Sequence, residues 1–533
     1  MSNSVQIYDC TLRDGTQGEN ISLSVEDKVR IAQKLDKFGV HYIEGGWPGS
    51  NPKDAEFFKR LKTLSWENSK IVAFGSTRHW KNPVDQDPNL EALIQAETPS
   101  VTLVGKAWDF HVERALGITM EQNLQIIQES IAYLKSQGKE VIFDAEHFFD
   151  GAEANPEYAT EVVRTSSEAG ADWIVLCDTN GGNLPTTIAE WVKKLVSKFP
   201  NLGIHTHNDC ELGVANSISA IQAGALMIQG TMNGYGERAG NANLCSIIPI
   251  LELKLNRNSI GRKNLENLRS TSYFISEVAN LTIPNNLPFV GRSSFAHKGG
   301  LHVSALLKDP RTYEHVRPED VGNSRRVLVS DLSGRSNLLY KIQEFGDISL
   351  EDLDLKSVLQ RIKEMEYEGY QFEGAEGSLK LLVHEFGKLR KNPFDFKGFR
   401  ILVDQDAEGN FLSEATVTIS VNGVDEHTSS DGNGPVQALD CAIKKALTRF
   451  FPEIEDLHLT DYKVRVLDAK SGTGAKVRVL IRSSDGLQSW STIGVSKNVI
   501  EASWKAIIDS VLCKLLFGGK LSKKSSELSK IGS

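Results

Sequence analysis

No stretch of this chain approaches the roughly 20 consecutive apolar residues that span a bilayer, which excludes a helical membrane protein. Nor does Met1-Ser2-Asn3-Ser4 open a signal peptide, so a cytoplasmic protein is expected. Cysteine is scarce, six in 533 residues, and no two cysteines form a Cys-x-x-Cys pair. Such scattered thiols build neither a zinc ribbon nor a disulfide framework. Positive charge is not in excess. A net charge of −9 and a pI near 5.8 exclude a binder of nucleic acid or anionic membrane. Neither Gly-x-Gly-x-x-Gly nor a P-loop follows the first strand candidate, which removes the usual nucleotide-binding readings.

What is present is ordinary soluble composition, 40% hydrophobic and 24% charged, at a length that exceeds one domain. Over residues 1–261 a short apolar run, a polar turn and a helical pattern recur. Strand candidates fall at 5–9, 41–46, 70–75, 100–105, 140–146, 173–178, 202–207 and 227–234. Helices are expected near 24–39, 51–64, 88–97, 119–137, 155–169, 184–199, 210–223 and 238–253. Eight alternating pairs describe an α/β protein with a closed (β/α)₈ TIM barrel, the alternative being an open doubly wound sheet. Residues 262–397 turn helical and polar, and contain Phe295-Ala296-His297-Lys298-Gly299-Gly300-Leu301-His302. Residues 398–518 read as an α+β module with an internal repeat. There Ala475–Ile481 echoes Ala415–Val421, and Glu501–Ile507 answers Gln437–Ile443. The Ser/Lys-rich end, 519–533, is expected to be disordered.

The chain is organised around Asp9-Cys10-Thr11-Leu12-Arg13-Asp14-Gly15-Thr16-Gln17, where the first strand breaks into a cation and a carboxylate. Ligands bind at that edge of parallel α/β folds. Strand 7 ends in His205-Thr206-His207. Side chains at i and i+2 share a face, so both imidazoles can converge on one ion, with Asp14 facing them across the mouth. Two histidines and a carboxylate suit a first-row divalent metal with open positions. The glycine-rich Asn233–Asn243 loop can bring an amide oxygen close to such an ion. Strands 5 and 6 place Asp144, Glu146, Asp178, Thr179 and Asn180 at their C-terminal ends, and Glu146 is the carboxylate singled out.

Together, Asp9–Gln17, His205–Asp209 and Gly234–Asn243 resemble the barrel enzymes that condense acetyl-CoA with a 2-oxo acid, the isopropylmalate, homocitrate and citramalate synthases. The resemblance covers essentially the whole chain, since 398–518 is similar to the amino-acid-sensing domain of that family. Gly45–Asp54 (GGWPGSNPKD), Leu176–Gly182 (LCDTNGG) and Leu103–Val112 (LVGKAWDFHV) look most like a citramalate-forming type. The resemblance implies an acyltransferase using acetyl-CoA and pyruvate, with isoleucine as feedback inhibitor. It implies a divalent ion (Mg²⁺, Mn²⁺ or Zn²⁺) on Asp14, His205, His207 and Asn241. Arg13 and Thr179 would hold the oxo acid, and Arg13 and Glu146 would be catalytic. His302 and Tyr313 would be a second catalytic pair from the neighbouring subunit of a homodimer. The bulky Trp108, expected near the mouth, favours the small oxo acid. The chain departs from many isopropylmalate synthases after strand 4, where Gly105-Lys106-Ala107-Trp108 replaces a Thr-Ser…His segment. The alternative acceptor is 2-oxoisovalerate, with leucine as the product of the pathway. The two-His-one-carboxylate set alone would also suit a non-haem iron oxygenase.

Overall fold

Apolar runs at the eight expected places form parallel strands: β1 (Gln6–Asp9), β2 (Tyr42–Gly46), β3 (Lys70–Ser76), β4 (Ser100–Lys106), β5 (Glu140–Glu146), β6 (Trp173–Asp178), β7 (Leu202–Thr206) and β8 (Met227–Gly230). They pair in chain order and β8 closes onto β1, so the sheet is a barrel and the open-sheet alternative is removed. The computed structural model describes residues 4–346, 348, 353–387 and 392–518. The tail at 519–533 lies outside the described residues.

Period-two alternation sorts the side chains. Tyr8, Tyr42, Val72, Ile142, Val175 and Met227 fill the barrel interior, while Ile7, Ile43, Val101 and Ile204 face the helices outside. The Tyr8 hydroxyl meets Thr102 Oγ1 at 2.8 Å, so its one polar atom inside the barrel is satisfied. The first outer helix, Val25–Phe38, shows why the sequence signals work. Ser24 and Asp27 close a reciprocal capping box, worth about 1 kcal/mol. Ile31, Ala32, Leu35 and Phe38 bury one face, and each large one contributes roughly 1.5–3 kcal/mol. The helix stops at Gly39, whose φ of 95° is one that side-chain-bearing residues rarely adopt.

Two boundaries differ from expectation. The eighth strand ends at Gly230 rather than 234, and the last barrel helix begins at Leu244 rather than 238. The intervening Thr231–Asn243 is a loop, held by bridges from Thr231 to Asn243 and from His207 to Asn241. Its glycines cannot sustain a strand or a helix. Two short helical pieces also went unread, Asp109–His111 running into a π-turn at Val112–Leu116, and Phe148–Ala154.

The chain divides into two compact units: residues through Phe295 with His315–Arg325, and Ala296–Glu314 with everything from Arg326 on. In the second unit Ala296–His297 pairs with Arg326–Val327, and helices Gly300–Lys308, Arg335–Phe345, Leu355–Glu368 and Glu376–Phe386 follow. Leu338, Ile342, Val358, Ile362 and Leu379 form a core there. Next comes an antiparallel sheet of Asp395–Gln405, Phe411–Val421 and Val424–Gly432, followed by the helix Pro435–Thr448. The pattern then repeats as His458–Val466, Val477–Ser484 and Ser489–Ser496, followed by Val499–Phe517. The duplicated unit is therefore three strands and a helix, larger than the strand-plus-helix echo in the sequence. Val417, Ile419, Leu439 and Ile443 from one copy share a core with Val479, Ile481, Trp504 and Ile507 from the other.

Candidate active site

A cavity of about 930 Å³ opens at the C-terminal ends of the barrel strands. Arg13, Asp14, Glu146, Thr179, His205 and His207 all line it. Arg13 follows β1 and is fixed on three sides. Its Nε and Nη2 donate to the two carboxylate oxygens of Glu44 at 2.7 and 3.1 Å, and the guanidinium lies 3.8 Å from the Phe74 ring centre. This planar, two-pronged grip leaves Nη1, 3.5 Å from Asp14 Oδ2, at the cavity side. Glu44 was missed by sequence reasoning. Its signal was a carboxylate inside the fully buried run Tyr42-Ile43-Glu44-Gly45-Gly46, where a charge needs a partner.

Asp14, His205 and His207 converge. Their ligand atoms lie within 4.8 Å of one another, and all three residues are buried. His205 Nε2 sits 3.5 Å from Asp14 Oδ2 and 3.4 Å from His207 Nε2. His205 Nδ1 lies 2.9 Å from Gln229 Oε1, while Gln229 Nε2 donates to Asp144 Oδ1 at 2.8 Å. Gln229 Oε1 is therefore the acceptor, Nδ1 carries the proton, and Nε2 turns its lone pair to the cluster. Burial first, then neighbouring His205, holds the His207 imidazole down to about 4, so it is neutral near pH 7. Burial works to raise the Asp14 carboxyl, but Arg13, His205 and His207 outweigh it and leave it below the ordinary value. Two imidazoles and a carboxylate held below its ordinary pKa make a cation-binding donor set.

Asn241 lies beside that set. β7 ends at Thr206, and the next residue, His207, bridges to Asn241. The Asn241 amide nitrogen donates to Tyr235 O at 3.1 Å, while its Oδ1 and Asp14 Oδ1 are buried with no hydrogen-bond partner. Orphaned oxygens of this kind are costly unless something electropositive meets them. Gly236, at φ 149°, makes the arrangement possible, because a Cβ there would collide with the Asn241 amide.

Thr179 stands at the edge of the cavity after β6. Its Oγ1 accepts from the His147 N–H at 2.9 Å, which leaves the hydroxyl proton free to donate. Glu146 ends β5 and pairs with Lys106 at the end of β4. Deeper in, burial with Glu44 nearby pushes the Asp144 carboxyl up to about 8. His302 and Tyr313 lie in the second unit, where their rings stack at 4.1 Å. Trp108 is a correction. It packs on Phe110, His111 and His147 rather than on the cavity, whose nearby wall is Gly105, Lys106, Ala115 and Leu116.

Residues 4–275 match the HMGL-like family model, 289–369 the homocitrate synthase post-HMGL domain-like model, and 373–514 the LeuA allosteric (dimerisation) domain model. The (R)-citramalate synthase of Aquifex aeolicus is 55% identical over 520 residues, 97% of this chain and 98% of that protein. That of Geobacter sulfurreducens is 53% identical, over 96% of this chain and 97% of its own. The chain belongs to the (R)-citramalate synthase family. A probable 2-isopropylmalate synthase of Methanopyrus kandleri is more distant, 31% identical over 96% of this chain and 98% of that protein. Membership of the citramalate synthase family makes the chain an acyltransferase of the acetyl-CoA-condensing type. Among the described residues no helix is long and apolar enough to cross a membrane.

Proposed function

We propose that this chain condenses acetyl-CoA with pyruvate in the cytoplasm, giving (R)-citramalate and free CoA for isoleucine biosynthesis. The observation that carries the reading is the convergence of Arg13 with the buried Asp14, His205 and His207 in one cavity that also holds Thr179 and Glu146. Asp14, His205, His207 and Asn241 would hold a divalent cation, Mg²⁺, Mn²⁺ or Zn²⁺, which the two orphaned oxygens suit. When bound, such an ion supplies Lewis-acid polarisation of the oxo acid.

The remaining work falls to side chains of this protein. Arg13, locked by Glu44, presents a fixed positive charge where the ketone oxygen becomes an alkoxide. One such contact is worth about 3–4 kcal/mol at the transition state. Thr179 donates a hydrogen bond from its hydroxyl to the oxo acid. Glu146 takes a proton from the acetyl methyl carbon, and the resulting enolate attacks the ketone. His302 and Tyr313 orient the thioester or assist its hydrolysis, in the homodimer that the resemblance implies. The match to a dimerisation domain model supports that assembly. The functional modules are 1–261 for catalysis, 262–397 contributing to it, and 398–518 for regulation.

Thiol release from acetyl-CoA against pyruvate, 2-oxobutyrate, 2-oxoisovalerate and 2-oxoglutarate tests the reading. Pyruvate is expected to give the highest kcat/KM. An extra methylene changes binding by only about 1–3 kcal/mol, so 2-oxobutyrate should turn over measurably. Preference for 2-oxoisovalerate would make the chain an isopropylmalate synthase.

A further inference from the structure

Of the cavity-lining cations to which the resemblance gives no role, Lys106, the last residue of β4, stands beside Glu146. β4 and β5 run parallel in a register that sets Lys106 beside Glu146, and Lys106 Nζ pairs with Glu146 Oε2. Their side chains are only 24% and 23% exposed. The backbone around them is pinned. Ala107 N–H donates to the Glu146 carbonyl at 3.0 Å, and the Asn123 amide donates to the Lys106 carbonyl at 2.9 Å. The barrel frame therefore builds this pair, which two surface side chains meeting by chance do not match.

We infer that Lys106 is a positioning residue for proton abstraction: by engaging Oε2 it fixes the orientation of the Glu146 carboxylate at the cavity wall. The inference rests on Glu146 being the base, as proposed above. The groups around Glu146 can be taken in turn. His147 follows it in the chain, but its Nδ1 is engaged by Asp150 from the next helix at 3.0 Å. His111, from the segment after β4, is held below its ordinary value by burial, then by His147 and Lys106. Asp144 shares β5, and Cys177 on β6 is a thiol pushed well up by burial. Among the described residues, Lys106 is the cation in contact with the carboxylate.

Lys106 engages Oε2 and leaves Oε1 to accept the proton from the methyl carbon. The C–H electron pair stays with the enolate, Glu146 becomes a neutral acid, and Lys106 remains an ammonium throughout.

The test is kcat and KM for acetyl-CoA, at saturating pyruvate, in the metal-loaded full chain. Wild type, Lys106→Gln, Lys106→Arg and Glu146→Gln are compared. Glu146→Gln should lose about 100-fold or more in kcat, as loss of a general base does. Lys106→Gln should lower kcat by up to about 100-fold, the cost of misplacing a reacting group, with KM nearly unchanged. Lys106→Arg should keep kcat near its wild-type value. An unchanged kcat in Lys106→Gln, or a change confined to KM, overturns the inference and leaves Lys106 a structural or substrate contact. Near wild-type turnover of Glu146→Gln would instead remove the base assignment, and the inference with it. If Lys106→Gln melts far below wild type, Lys106→Ala with added propylammonium replaces it. A kcat restored by the amine supports the inference, and one that the amine does not move overturns it.

Discussion

Gln229 ties His205 to Asp144: its Oε1 accepts the His205 Nδ1 proton at 2.9 Å while its Nε2 donates to Asp144 Oδ1 at 2.8 Å. The three residues come from β7, β8 and β5, so the link spans the barrel interior. Partners of this kind fix the tautomer and orientation of a ligating histidine, and losing one typically costs about 10–100-fold in metal affinity. Gln229→Leu should bind Mn²⁺ that much more weakly in an equilibrium titration, with the fold retained. Unchanged affinity would show that His205 is oriented by the barrel wall alone.

The ligands themselves should behave more severely. Asp14→Ala or His207→Ala is expected to abolish both metal retention and thiol release. Metal binding to the folded chain alone stabilises it by mass action, about 2.7 kcal/mol at a hundredfold excess over Kd. Chelation should therefore lower the Tm of wild type and leave that of both variants where it was. An equal Tm drop in Asp14→Ala would place the ion elsewhere.

Arg13 is expected to depend on shape as well as charge. Arg13→Lys keeps a cation but cannot make the forked contact with both Glu44 oxygens. It should lower kcat by about 10²–10³-fold, the loss expected of one transition-state donor. Lowered kcat with pyruvate KM nearly unchanged is the result that fits. A change in KM alone would make Arg13 a ground-state binder.

Much of this site was legible because the period of a strand is two. His205 and His207 share a face on that rule, and Arg13-Asp14 at a strand end needed only the barrel to bring it opposite them. Glu44, Gln229 and Lys106 were not legible in the same way. Each acts through a neighbour on an adjacent or opposite strand, and strand adjacency is fixed by closure and register rather than by any local pattern. The eight strands themselves stood out as apolar runs between turns. The loop Thr231–Asn243 did not, because its shape comes from two isolated bridges and positive-φ glycines. In the C-terminal module, the strands Val424–Gly432, His458–Val466 and Ser489–Ser496 were missed. The first is exposed on alternate residues and apolar only at its first, so it carries almost no hydrophobic signal.

Stability against pH offers a test of the barrel interior in the metal-free protein. The Asp144 pKa, raised by burial to about 8, means the folded chain keeps a proton there that the unfolded chain loses near its ordinary value. The folded state then binds more protons across that window, so this group's contribution falls as pH rises from about 4 to 8. His207, held down to about 4, works the other way, adding stability as pH rises from about 4 to its unfolded value near 6.5. Asp9, raised by burial to about 7, declines alongside Asp144 up to that pH, so the substitution of Asp144 itself isolates its contribution. Asp144→Asn should flatten the decline in Tm between pH 6.5 and 8 relative to wild type. Parallel curves would mean that Asp144 is already ionised in the folded chain.

The last prediction concerns the repeat. Two copies of a three-stranded sheet and helix share one core, and the segment 373–514 matches an allosteric and dimerisation domain model. Isoleucine is the expected effector, since citramalate made from pyruvate leads to isoleucine while isopropylmalate leads to leucine. A duplicated unit tends to pair about a two-fold axis, so an effector is expected between copies or between subunits. Coupling between such sites is usually about 1–3 kcal/mol and is reciprocal in binding. Isoleucine should then weaken acetyl-CoA binding to the full chain by about 5–150-fold, and acetyl-CoA should weaken isoleucine binding by the same factor. Titrating isoleucine, leucine, valine and lysine, by thiol release and by calorimetry, separates the cases. Inhibition by leucine in preference to isoleucine would move the chain to the other pathway. If the full chain neither binds nor responds to any of the four, the sensing role is wrong and the repeat serves assembly alone.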